Sequence, residues 1–277
     1  KKSQIEDLDP NFEKTDPEKG LRWYDIQAFG TEGQGWSDTQ RSYARLPAKA
    51  EDIVREPVWQ LAQHSAGICV RFVTSAKAIS ARWRLWNQNL AMVHMPATGV
   101  SGLDLYIKDP LRPKNKQYHW IGLGQPGKFP ENEAELVGGL NGQPHEFILY
   151  LPLYNGVEKV EIGVNLEAEI EKAPARTTKP IVMYGTSILH GGCASRPGMS
   201  YPAIIGRWVD QPIINLGFSG NGQAEPEMAE LLAELDPAVY LLDYCPNVNA
   251  NGIRKRTEPF VQILRNAHPD TPIVLVE

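Results

Sequence analysis

Between residues 166 and 180 the hydrophobic period of the chain changes, and that change limits the folds open to it. Upstream, apolar and polar residues alternate. In "GICVRFVTS", Ile68, Val70 and Phe72 share one side; in "KAISARWRLW", Ile79, Ala81, Trp83 and Leu85 stand opposite Arg82, Arg84 and Trp86. A period of two belongs to strands with one buried face. "GLDLYIK" and "HEFILYLPLY" continue the series. Asn155-Gly156, between two apolar runs, predicts a tight hairpin, because that turn needs positive φ at both central residues. Short strands punctuated by Gly and Pro predict an antiparallel, jelly-roll-like β-sandwich over residues 1–175, with the polar, proline-bearing stretch 166–180 as its linker.

Downstream the period lengthens. "IVMYG", "PIINLG", "AVYLLDY" and "PIVLVE" read as buried strands. Between them lie three helical stretches: "SYPAIIGRWV" with Ser200 as its N-cap, "EPEMAELLAEL" with acids in its first turn, and "RKRTEPFVQILRNAH". Strand alternating with helix predicts a flavodoxin-like, three-layer α/β/α unit with a parallel sheet over residues 176–277. Its fourth strand would end at Glu277 without a covering helix, so the unit is expected to be truncated there.

Composition narrows the partners. With 277 residues, 42% hydrophobic and 22% charged, the chain can bury a full core unaided. Net charge is −5 and no basic run occurs, which argues against nucleic acid. No apolar stretch approaches the ~18 residues of a membrane span. Cys69, Cys193 and Cys245 have no metal-ligand spacing, and no metal or cofactor is expected. They read as reduced thiols, although a Cys193–Cys245 pair is open, since both follow strand ends. Six of the tryptophans lie in the β-rich half and read as core rather than as a sugar platform. The chain starts "KKSQIEDLDP", as a secreted or periplasmic protein does after signal removal; a cytoplasmic place is the alternative. Oligomeric state is not set by these features.

In a parallel sheet of this kind the ligand site lies outside the carboxyl ends of the strands. Strand one is followed by Gly185-Thr186-Ser187, strand two by "GFSGNG" (217–222), strand three by Cys245-Pro246-Asn247. Acyl transfer needs a nucleophile and N–H donors aimed at the developing oxyanion. Ser187 at a strand-to-helix turn suits the first role. The N–H of Gly220 and the carboxamide of Asn247 suit the second. Taken singly, Ser187 is a good helix N-cap and Asn247 a good turn residue; their convergence favours chemistry. A phosphate-binding loop with its lysine is absent, residues 185–189 read G-T-S-I-L rather than G-x-S-x-G, and "GFSGNG" fits a dinucleotide fingerprint poorly.

These blocks resemble those of the SGNH (GDSL-type) hydrolases. "YGTSI" is similar to the first block, with Thr186 where many members carry Asp; "NLGFSGNG" is similar to the glycine block and "DYCPN" to the asparagine block. Upstream, Gly102-Leu103-Asp104-Leu105-Tyr106 resembles the GxDLY segment of the β-rich domain preceding one SGNH-type esterase subfamily. The resemblance implies a carboxylic ester hydrolase with Ser187 as nucleophile, and Gly220 N–H and Asn247 as oxyanion donors. It also implies a base and an acid in a C-terminal D-x-x-H segment, for which residues 1–277 offer no counterpart.

Of the six histidines, His190 is three residues past Ser187, and His94 opens the GxDLY stretch; both are candidate substrate contacts. His190 suits a general base poorly, because an i,i+3 neighbour lies along the helix surface. His268 precedes strand four, at the wrong end of the sheet. The expected substrate is a small-molecule or carbohydrate ester, O-acetyl foremost. The rival reading is a glycan-binding protein with an inactive hydrolase unit.

Overall fold

The computed structural model describes residues 13–277. The β-rich half contains β1 (Glu13–Asp16), β2 (Leu21–Asp25), β3 (Thr31–Glu32), β4 (Cys69–Thr74), β5 (Ile79–Leu85), β6 (Leu103–Lys108), β7 (Tyr118–Gly124), β8 (Glu131–Val137), β9 (His145–Tyr150), β10 (Val157–Asn165) and β11 (Ile170–Lys172). Helices α1 (Glu56–Ala62) and α2 (Ala97–Val100) interrupt them. Two antiparallel sheets result, ordered β1-β2-β10-β5-β8 and β11-β4-β9-β6-β7, with β3 added against β4. Alternation explains their packing. Ile79, Ala81, Trp83 and Leu85 of β5 meet Val70 and Phe72 of β4 and Phe147 and Leu149 of β9 in one core.

The outer faces of the two sheets differ. On the first, Arg82 pairs with Glu161 and Arg84 with Glu158, a charged face that water can reach. On the second, Cys69, Tyr106, Ile148 and Tyr150 pack on Ala203 of the other half. Burial on both faces accounts for the continuous apolar run "FILY" in β9.

The hairpin expected at Asn155-Gly156 does not form. β9 pairs with β4 and β6, whereas β10 pairs with β2 and β5, so these residues carry the chain from one sheet to the other. Asn155 is fully buried, its amide donating to the Asn87 carbonyl and to Ser101 Oγ. The stretch 166–180, expected as a linker, is docked: β11 pairs with β4, and Arg176 bridges Glu32 (2.6 Å) and Asp210 (2.8 Å). Trp23, Trp59 and Trp83 are buried, while Trp120 is 47% exposed.

The second half contains β12 (Ile181–Gly185), α3 (Ser187–His190), α4 (Tyr201–Val209), β13 (Ile213–Gly217), α5 (Pro226–Leu232), β14 (Val239–Asp243), α6 (Ala250–Ala267) and β15 (Ile273–Leu275). The strands form a parallel sheet ordered β13-β12-β14-β15, flavodoxin-like as far as it runs. Successive residues of β12 serve opposite layers. Ile181 and Met183 face α3 and α4; Val182 and Tyr184 face α5 and α6. The second layer is completed by α1, whose Val58, Trp59 and Ala62 join the same cluster. A helix from the β-rich half thus covers part of the α/β sheet.

Candidate active site

β12 is buried throughout and ends at Gly185, where a Cβ would lie 1.9 Å from the Asp243 carbonyl oxygen. Only glycine lets the two strand ends close there. Thr186 follows as the cap of α3, its N–H donating to the Asp243 carbonyl at 2.9 Å. Ser187, half-exposed, opens the helix. Its N–H is one of the first-turn donors that no helical carbonyl can satisfy, so it is free to face a ligand.

The end of β13 is tied to the same turn, because the Phe218 N–H donates to the Gly185 carbonyl at 2.9 Å. Gly220 has φ +70°, is exposed, and has open space where a side chain would go. Its N–H makes no hydrogen bond among the described residues. Asn247 closes a short 3-10 turn after β14, and its Nδ2 donates to the Gly222 carbonyl at 3.2 Å. A carboxamide nitrogen carries two hydrogens, so a second remains for another acceptor. The fold therefore brings Ser187, Gly220 and Asn247 to one edge of one sheet.

His190 lies elsewhere, and its expected contact with substrate is corrected. The ring has no exposed surface. Its Nε2–H donates to the Leu153 carbonyl at 2.7 Å, and it stacks on Tyr154 at 4.1 Å. Burial first, then the nearby Arg45 charge, hold it neutral far below the usual histidine range. The i,i+3 step turned this side chain inward, since α3 packs directly on the Gly217 backbone. His94 is exposed, at the tip of a turn bridged by Met92 and Met95. Those methionines pack with Leu153, Tyr154 and Ala194, beside the loop that follows Ser187. His268 caps α6, its Nε2 donating to the Ala233 carbonyl. Cys193 and Cys245 are unpaired, as is Cys69. Among the described residues no cluster of metal-ligating side chains occurs, and no helix is long and apolar enough to cross a membrane.

Several residues at this edge had no signal in the local sequence. The guanidinium of Arg45, 1% exposed, donates to the carbonyls of Leu61, His64, Asn215 and Gly217, joining the end of α1 to the end of β13. Arg55 holds the glycine turn through Asn221 Oδ1 (2.9 Å), the Asn221 carbonyl (2.7 Å) and Glu225. Tyr154 donates to the Ser187 carbonyl at 3.1 Å. Tyr201 donates to Asp243 Oδ2 at 2.8 Å, beside the Ser187 turn. All but Tyr201 come from the β-rich half. The signal available for Tyr154 was its place beside Asn155-Gly156, which alternation alone reads as a hairpin.

Two family models match successive parts of the chain. Residues 21–170 match the N-terminal GxDLY domain of SGNH hydrolase-type esterases, and residues 178–277 match the GDSL-like lipase/acylhydrolase family. The chain belongs to this family. GDSL-like lipases and acylhydrolases cleave ester bonds, and membership makes this chain an acyl-ester hydrolase in class. A protein from Bacteroides ovatus assigned to the GDSL-like lipases is 36% identical, with a TM-score of 0.85 over 92% of this chain and 73% of that one. The salicylyl-acyltransferase SsfX3 of a tetracycline biosynthetic pathway shares the fold at 20% identity, with a TM-score of 0.68 over 94% of this chain and 70% of that one. No curated protein matches the chain.

Proposed function

We propose that this GDSL-like hydrolase is a serine esterase that removes small acyl groups, O-acetyl foremost, from a carbohydrate or small-molecule alcohol. The observation that carries the reading is the convergence of Ser187, the unbonded Gly220 N–H and the Asn247 carboxamide at three adjacent strand ends. Ser187 Oγ adds to the ester carbonyl while its proton passes to a histidine base. The carbonyl electron pair moves onto oxygen, which faces the Ser187 N–H, the Gly220 N–H and Asn247 Nδ2. Collapse expels the alcohol, which takes the proton from the histidine, and water repeats the sequence to release the acid. Neither His190, sealed in the core, nor His268, bonded to the Ala233 carbonyl, is placed to serve as that base. The reading assigns it to a D-x-x-H histidine of the kind the resemblance implies. His94, exposed beside the loop after Ser187, is assigned to the alcohol side of the substrate.

The test is hydrolysis of p-nitrophenyl acetate and of an acetylated oligosaccharide by the full-length protein, with Ser187→Ala as control. Loss of both activities in the variant is expected. Equal rates in the two proteins would sink the reading. Oligosaccharide binding without turnover would favour a glycan-binding protein with an inactive hydrolase unit.

A further inference from the structure

We propose that Tyr154 and Asp104, both in the β-rich half, are positioning residues for the nucleophile, holding the two ends of the loop 191–200 that leads from the Ser187 helix to α4. The inference rests on the esterase reading of Ser187. At the near end, the Ser187 carbonyl accepts from the Gly191 N–H (3.1 Å), the Gly192 N–H (2.8 Å) and the Tyr154 hydroxyl (3.1 Å). A carbonyl has two lone pairs, so three donors leave its peptide plane little freedom. Tyr154 is itself immobilised. It is 8% exposed, stacked on His190, and packed on Met95 and Leu153.

At the far end the GxDLY segment does the holding. β6 alternates: Leu103 and Leu105 enter the sandwich core, while Asp104 and Tyr106 point to the other half. Asp104 is fully buried. Its Oδ2 accepts the Gly198 N–H at 2.8 Å, and its Oδ1 lies 3.3 Å from Arg196 Nε. Gly198 must be glycine, since a Cβ would come 2.3 Å from the Tyr106 ring. Arg207 of α4 lies 4.0 Å over that ring and donates to the Gly198 carbonyl at 2.7 Å. Between the ends, Thr98 Oγ1 donates to the Ser195 carbonyl at 2.6 Å. The β-rich half thus shapes the segment that carries the nucleophile, where a displacement of ~1 Å is enough to cost about 10²-fold in rate.

The experiment uses the full-length protein. Tyr154→Phe deletes one oxygen and keeps the stack. Its kcat for p-nitrophenyl acetate is expected to fall about tenfold, the worth of one hydrogen bond realised at the transition state, with KM within about twofold. Its phosphorylation by diethyl p-nitrophenyl phosphate, which reports attack by the serine without the later deacylation, is expected to slow by the same factor. Asp104→Ala is expected to lose more, and Asp104→Asn, which keeps an acceptor for the Gly198 N–H, to recover most of that loss. Wild-type kcat and phosphorylation rate in Tyr154→Phe, or Asp104→Asn as slow as Asp104→Ala, overturns the proposal. If Asp104→Ala does not fold, the Tyr154→Phe result decides. A wild-type protein that neither turns over ester nor reacts with the phosphate ester refutes the esterase reading, and the positioning role with it. Turnover that both variants share with wild type refutes the positioning role alone.

Discussion

Replacing Gly217 by alanine tests whether α3 and β13 form a rigid seam beneath the site. A Cβ on Gly217 would stand 2.2 Å from the His190 nitrogen, 2.6 Å from the His190 Cα and 2.7 Å from the Leu189 carbonyl carbon. All three are backbone atoms of α3, so no side-chain rotation relieves the contact. Ordinary van der Waals separation begins at 3.4 Å, which requires α3 to retreat by ~1 Å. That retreat would strain the bond from Asn215 Nδ2 to the Leu189 carbonyl (2.9 Å) and the one from Arg45 to the Gly217 carbonyl (2.7 Å). Overpacking a tight core costs about 1–3 kcal/mol, and backbone on both sides puts this site at the upper end, about 3 kcal/mol. Ser187 rides on α3, so a loss of about 10²-fold in esterase activity accompanies the shift. Gly220→Ala is the control. Its space is open and only φ +70° opposes a side chain, a cost of about 1–2 kcal/mol. Urea unfolding followed by far-ultraviolet circular dichroism measures both variants, with equal m values as the two-state check. A Gly217→Ala protein within about 1 kcal/mol of wild type and fully active would refute the seam.

Asn247→Ala is expected to lower kcat about 10²–10³-fold while costing about 1 kcal/mol of stability for the lost bond to the Gly222 carbonyl; a larger stability loss than rate loss would make Asn247 a turn residue only. Arg55→Ala is expected to raise hydrogen exchange across residues 218–223, since Arg55 grips Asn221 and Glu225 from outside; unchanged exchange there would mean that the turn holds its own shape. Acid stability draws on His64, His190 and Asp104. Burial, aided by Arg45, pushes His64 down to about 3 and His190 well below its usual value. The unfolded chain takes up both protons near pH ~6.5 and the native state does not, so stability falls below that pH by about 1.4 kcal/mol per unit for each histidine. Asp104 has the opposite sign. Burial raises it to about 6 from 3.8, so between those values the native state holds a proton that the unfolded chain releases. Lowering the pH through that window therefore returns about 1.4 kcal/mol per unit. Asp104→Asn therefore steepens the loss of stability on acidification by about 1.4 kcal/mol per unit between pH ~6 and ~4. Urea unfolding across that range reads the slopes, and equal slopes in the two proteins would contradict the assignment.

What could be read from the chain alone was what local chemistry dictates. The period-two runs marked β4, β5, β6 and β9, because one face of each must enter a core. The strand–helix alternation after residue 180 marked a parallel sheet, and the edge where Ser187, Gly220 and Asn247 meet follows from that topology. Everything that depends on which distant strand becomes a neighbour lay beyond local pattern. Asn155-Gly156 has the composition of a hairpin, yet it crosses between sheets, because β10 pairs with β2 and β5 while β9 pairs with β4 and β6. His190 stands three residues from Ser187, yet a backbone contact at Gly217 and a carbonyl at Leu153 draw it into the core. Arg45, Arg55, Tyr154 and Asp104 act on partners between 16 and 172 residues away. Hydrophobic period is a property of neighbours in sequence, and it placed Ser187 at a strand end. The contacts that hold the Ser187 turn belong to neighbours in space, and the packing of one half of the chain on the other supplied them.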